Sequence, residues 1–332
     1  MNSNENPLGY EKIPALIRKF AIPSIIAMLV GSIYNIVDQI FIGQGVGYLG
    51  NAATNVAFPV TTIAIAIFLS IGVGAATRFS IYLGEGNSDK AARVCGIATV
   101  SSIIFGFGYA AFILLFIRKI LYAFGATDQI YQYALTYTKI TTLGLPFVII
   151  QQCTGKMIIS DGSPKYSMAT MVTGAVLNTI LDPIFIFIFH WGIAGAAWAT
   201  VISQVVSFIM TVAYYPRFKR IDLKKEHFIL SLKETLITMK FGMSQGLTQT
   251  ALAAVMISMN RSMVYYGQFT IYGSEIPLAA SGIVMKVNSI VISVLIGISQ
   301  GLQPIAGFNY GARKFDRVKN SYLYSVMMAV SI

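Results

Sequence analysis

Apolar positions fall in long blocks separated by short polar breaks. A bilayer-spanning helix needs about 20 mostly apolar residues. Eight segments meet that length, at about 20–42, 54–77, 94–117, 130–153, 167–189, 193–214, 242–265 and 277–303. A ninth begins near 320. The alternating ten-residue strands of a transmembrane barrel are not seen. The pattern predicts an all-α polytopic membrane protein. Residues 1–14 are polar and carry no short apolar run before a small-residue cleavage site, so the first span is expected to serve as its own uncleaved signal.

The blocks repeat. A shift of 227 places Ile71 on Ile298, Gly74 on Gly301, Gly84 on Gly311, Asp89 on Asp316 and Ala52-Ala53 on Ala279-Ala280. Lys19-Phe20 matches Lys240-Phe241 at a shift of 221. Six spans precede a basic linker at 216–240, so both copies enter the membrane from the same side. That implies parallel halves related by an axis along the membrane normal, a transporter architecture. Residues 1–215 read as an N-terminal lobe with spans 1–6. Residues 216–240 read as a cytoplasmic linker, and 241–332 as an incomplete C-terminal lobe with spans 7, 8 and the start of 9. The counterpart of span three would run to about 344, so the sequence is expected to be truncated at its C-terminus. In the linker, Phe228, Leu232, Leu236 and Met239 recur at helical spacing among charges, which predicts an amphipathic helix on the membrane surface.

Composition sharpens this reading. Of 332 residues, 55% are apolar and 11% charged, against about 25% charged in soluble domains. Mean hydropathy is +0.68. A soluble fold is excluded. Net charge is +11, but its placement matters more than its size. Nineteen of the 24 lysines and arginines fall in breaks on one side, and only Arg118 and Lys119 on the other. By the positive-inside rule the N-terminus is cytoplasmic, in a plasma-membrane protein whose basic face meets lipid head groups rather than nucleic acid. Cys95 and Cys153 lie inside apolar segments, so no disulfide framework is expected. Two histidines and two cysteines are too few and too scattered for the usual metal site, and no cofactor is expected.

Charges inside spans mark candidate sites. Asp38 lies about five residues from the external end of span one, and Asp182 about eight from that of span five. Tyr137 and Thr200 sit at similar depth on spans four and six, and Asn178 is one turn below Asp182 on the same face. Two carboxylates with neutral oxygens suit a hard cation, and a close acidic pair is equally relieved by a proton. Pro183 cannot donate to the carbonyl of Thr179, leaving a free oxygen or a bend. Pro23, early in span one, allows a hinge or a fixed bend. Gly144-Leu145-Pro146 in span four has the same ambiguity. Lys139 is expected to pair with a first-lobe carboxylate or to snorkel outward. No intramembrane carboxylate is visible for Arg261 or Lys286.

Three motifs together resemble the multidrug and toxin extrusion (MATE) family. They are Tyr34-Asn35-Ile36-Val37-Asp38-Gln39-Ile40-Phe41-Ile42-Gly43, Asn178-Thr179-Ile180-Leu181-Asp182-Pro183 and Gly195-Ala196-Ala197-Trp198-Ala199-Thr200. The resemblance covers essentially the whole chain, including its repeat and linker. It implies two six-helix lobes and export of bulky, often cationic, drugs against inward sodium or proton flow, by a monomer embedded in lipid. It further implies a first-lobe cation site at Asp38, Asn178, Asp182 and Thr200, a network through Tyr137, Tyr34 and Asn35, and bending of span one at Pro23. Some members carry an acidic residue in span seven. Here that span offers Gln245, Gln249, Asn260 and Arg261, so ion coupling is placed in the first lobe. The abundant phenylalanines, tyrosines and methionines would supply an adaptable apolar pocket. A lipid flippase of the wider superfamily is the nearest alternative, and it would need basic residues facing its cavity. A membrane prenyl transferase would need clustered aspartates within a span, and none occur, so no enzyme activity is expected.

Overall fold

The computed structural model describes residues 6–331, the side chain of Lys286 excepted. The described residues form long helices joined by short turns, with no strand among them. The order is α1 (Ile13–Gly45), α2 (Tyr48–Gly84), α3 (Ser88–Ala123), α4 (Asp128–Ser160), α5 (Pro164–Pro183), α6 (Gly192–Val212), α7 (Leu232–Gly267), α8 (Glu275–Gly311) and α9 (Phe315–Val330). Backbone groups in lipid must be satisfied within the segment, which is why apolar blocks of this length become helices. Helices α1–α6 form one lobe, with α4 packed against α2, α3 and α6, and α5 between α1 and α6. The α7–α9 unit belongs to the second lobe. Within this chain α7 and α8 touch α1 and α2 more extensively than each other.

The repeat is visible in the backbone. Helices α2 and α8 are each 37 residues long, and their bounds differ by the same 227 seen in the sequence. The following turns also match. Asn87 N–H donates to Tyr82 O, and Lys314 N–H to Asn309 O, both at 2.8 Å. The residue before each is left-handed, Gly86 at φ 76° and Arg313 at φ 56°. This is a helix stop that glycine fits without penalty and arginine does not.

The lobes meet through glycines set against backbone. A side-chain carbon on Gly84 would strike Phe308 O, and one on Gly311 would strike Ile81 O. Gly74 lies against Thr238 O and the Gly242 backbone, and Gly301 against the Ala21 backbone. Each pair maps onto the other under the repeat, so the seam has approximate two-fold symmetry. Such small-residue contacts let transmembrane helices approach closely. Two polar straps cross the seam at the basic end. Leu8 O accepts from Asn309 Nδ2 (2.9 Å), and Glu11 O from Arg317 Nη2 (2.7 Å), tying the N-terminal segment to α8–α9. Reciprocally, His227 Nε2 lies 3.2 Å from Asp89 Oδ1, tying the linker to α3.

One expectation is corrected. No amphipathic helix spans 216–240. Short 3-10 turns at Tyr215–Arg217 and Lys225–Phe228 flank irregular chain, and Leu232, Leu236 and Met239 begin α7. Side chains take the backbone donors that a helix would use. Asp161 accepts from the N–H groups of Lys219 (2.9 Å) and Arg220 (3.1 Å), and His227 Nδ1 from that of Lys224 (3.1 Å). Helix α7 covers the expected span over 242–265 and is long, though more polar than the seven described helices that qualify to cross a membrane by length and composition. Three of its polar residues face the first lobe or the cavity beside it. Thr238 Oγ1 accepts from Arg78, Asn260 Oδ1 accepts from Asn55 Nδ2 (3.2 Å), and Gln249 lines a cavity between the lobes.

Candidate functional site

Four of the expected residues converge inside the first lobe. Asp38 on α1 and Asp182 at the end of α5 are buried, 6% and 0% exposed, and their carboxyl groups lie within hydrogen-bonding range of each other. Asn178 Nδ2 donates to Asp182 Oδ1 at 3.3 Å and to Thr200 Oγ1 at 3.4 Å. Thr200, on α6, donates in turn to Ala196 O at 3.0 Å. Two buried acceptors, Asp182 Oδ2 and Asn178 Oδ1, have no hydrogen-bond partner. Unmatched buried oxygens are costly, and a proton or an oxygen-seeking cation would satisfy them. The donor set of two carboxyls, an amide and a hydroxyl fits either.

Local sequence explains the placement. Pro183 removes a backbone donor directly after Asp182, and the chain leaves α5 through a π-turn at Ile184–Ile188, where Phe189 N–H donates to Ile184 O. Such widened turns recur at functional sites. On the other wall, α1 runs unbroken from Ile13 to Gly45 through Pro23. Pro23 lies between Ala21 and Ile25, the two residues that Gly301 and Gly297 of α8 press against. Pro23 is buried, and at two residues from each of them it lies on the side of α1 turned away from that contact.

The tyrosines frame the acidic pair. Tyr137 contacts Thr200 through its hydroxyl, and Tyr137 and Tyr34 both lie within electrostatic range of both carboxyls. Asn35 is adjacent to Tyr34 but turns differently. Its amide donates to Gly31 O at 2.7 Å, and it lines the inter-lobe cavity. Helix α1 is thus a two-faced wall. Gly31 and Tyr34 line a first-lobe cavity of about 80 Å³, and Asp38 is buried at the acidic pair. Ser32, Asn35 and Gln39 line a cavity of about 270 Å³ between the lobes. The larger cavity is completed by Asn55, Phe58, Gln249, Met256 and Met285. At the opposite end from the straps it is bounded by Asn55, which donates to Leu278 O at 2.8 Å.

The cationic residues of the spans stand apart. Lys139 is exposed on the outside of the bundle and is not paired with the acidic site. Arg261 is exposed beside Tyr122 and Tyr265. The Lys286 side chain lies outside the described residues. Sequence reasoning missed a buried cation at the basic end. Arg78 is 7% exposed, binds Glu234 Oε2 at 2.6 Å and Thr238 Oγ1 at 2.8 Å, and joins α2 to α7. Its position near a helix end made it look like an ordinary loop charge.

The MatE family profile matches residues 23–184 and 251–332, covering both lobes and the whole acidic site except Thr200. The chain belongs to the MatE family. Among its relatives, the multidrug export protein MepA of Staphylococcus saprophyticus is 27% identical over 318 residues, covering 94% of this chain and 68% of that protein. MepA of Staphylococcus aureus is 28% identical over 328 residues, covering 97% of this chain and 70% of that one. The solved structure of the MATE multidrug transporter DinF-BH superposes with a TM-score of 0.89 at 30% identity, covering 96% of this chain and 70% of that chain. The all-helical, two-lobe MATE bundle expected from the sequence is the fold of this protein.

Proposed function

We propose that this protein exports structurally diverse, often cationic, organic compounds across the plasma membrane in exchange for sodium ions or protons. The named exporters among its MatE relatives support the export reading. The observation that carries the coupling is the two-faced wall of α1, with the acidic pair on one face and the inter-lobe cavity on the next. The basic end faces the cytosol, as its lysines and arginines require. The driving cation binds at Asp38, Asn178, Asp182 and Thr200, relieves repulsion between the carboxyls, and changes how α1 packs. Bending near Pro23 then shifts Ser32, Asn35 and Gln39 in the inter-lobe cavity and opens the α1–α8 seam. A bound cation drives such a switch only through unequal affinity for the two states.

The flippase alternative draws less support. A phosphate head group calls for basic side chains, whereas the described lining offers Asn35, Gln39, Asn55 and Gln249. The deciding experiment is dye efflux from vesicles with sodium and proton gradients imposed separately. Coupled efflux should fall at least tenfold in Asp38→Asn and in Asp182→Asn, with dye affinity retained within about threefold. Normal pumping by both variants would end the assignment.

A further inference from the structure

The first-lobe cavity does more than adjoin the acidic pair. It extends from Asn178 and Thr200 toward the basic end, past Gln151, Ser203, Gln204 and Ser207. It shares no lining residue with the inter-lobe cavity. Its volume of about 80 Å³ is room for a few waters or a partly hydrated ion, and too little for a bulky drug. Two buried oxygens of its lining residues, Asn178 Oδ1 and Gln204 Oε1, have no partner. Below the cavity the polar line continues on α6. Thr200, Ser203, Ser207 and Thr211 share one face of α6, and Tyr214 follows at the same spacing in the turn just after it. The last four are buried. At 1.5 Å per residue the line covers about 21 Å. It ends where the Tyr214 hydroxyl donates to Asp161 at 2.8 Å, a fully buried carboxyl in the loop at the basic end.

Building on the proposed first-lobe site, we infer that the coupling ion leaves for the cytosol inside the first lobe, through this cavity and along the hydroxyl face of α6 to Asp161. It does not pass through the inter-lobe cavity that takes the drug. The serine and threonine hydroxyls of this face already donate to carbonyls, Ser203 to Ala199, Ser207 to Thr170 and Thr211 to Ser207. Each oxygen keeps acceptor capacity for a passing cation or a water-borne proton. Exit by a separate route leaves drug and ion free to occupy the protein in either order.

The test uses Ser207→Cys and Ser207→Leu in vesicles of known orientation. Cys95 and Cys153 are both buried, so the parent protein supplies a low background for thiol labelling. A small membrane-impermeant methanethiosulfonate should modify Ser207→Cys from the cytosolic side, at a rate unchanged by saturating dye. Ser207→Leu should slow coupled efflux at least tenfold while dye affinity stays within twofold. Labelling only from the outside, labelling blocked by dye, or wild-type pumping by Ser207→Leu would overturn the inference. Failure of the site reading is distinguishable, because Asp38→Asn and Asp182→Asn would then still show coupled efflux.

Discussion

Replacing Arg78 with methionine tests how the lobes are held together at the basic end. The guanidinium is 7% exposed and donates to Glu234 Oε2 (2.6 Å), Thr238 Oγ1 (2.8 Å), Glu234 O (3.2 Å) and Tyr82 Oη (3.1 Å). Breaking a fully buried ion pair costs about 3–5 kcal/mol. Glu234 keeps 31% of its side-chain surface in contact with solvent, so its stranded charge is partly hydrated and the expected loss falls to about 2 kcal/mol. Methionine fills similar space, which limits any cavity contribution. Because the tie joins α2 to α7, the loss applies to the state in which these helix ends are packed. The open state should therefore gain about thirty-fold in population. Thermal unfolding of the purified protein in detergent measures the stability change, and a double-mutant cycle with Glu234→Gln isolates the pair. The coupling energy should be about 1–2 kcal/mol. Additivity within about 0.3 kcal/mol would show that the two side chains do not act together, and the lobe tie would lie elsewhere.

Three further outcomes follow from the geometry. A methyl group at Gly74 meets the carbonyl of Thr238, so Gly74→Ala should destabilise the protein by about 1–3 kcal/mol, and an unchanged melting temperature would count against the close seam. Arg313→Gly relieves a left-handed arginine and should stabilise by about 0.5–1 kcal/mol in the same melt. Burial holds the Asp161 carboxyl above the usual carboxylate range, so the native state binds this proton more readily than the unfolded chain. Stability from this group is present below the ordinary range and is lost as pH rises through the raised value. Subtracting the melting profile of Asp161→Asn from that of the parent between about pH 4 and about pH 8 should give a difference that declines with pH, and a rising one would reverse the sign of the effect.

The acidic pair was readable because charge in a span is expensive and depth can be counted along a helix. Asp38, Asn178, Asp182 and Thr200 reach one level by that count, and the structure brings them together. The repeat was equally readable, since glycines at a seam cannot drift without collision. The α6 hydroxyl face was not. Serine and threonine are cheap in a membrane helix because they can bond to the preceding turn, as Ser203 and Thr211 do, so they do not stand out among their apolar neighbours. Tyr34 and Asn35 are neighbours in sequence yet serve different cavities, a separation that depends on the helices packed around α1. The linker misled for a related reason. Its helical spacing is real, but Asp161 captures backbone donors from nearly sixty residues away, a contact that sequence does not display.

The glycine seam bears on how such a molecule moves. Interlocked side chains must disengage before two bodies can turn, and each rotamer change adds to the barrier. Where Gly74, Gly84, Gly301 and Gly311 rest on bare main chain, there is little to unlock, and the halves can roll over each other like smooth bearings. Resistance is then left to the side chains packed between those points, such as Phe79 and Phe308, and to the polar ties across the seam, so the tempo of the transport cycle is set by these rather than by the bare backbone contacts.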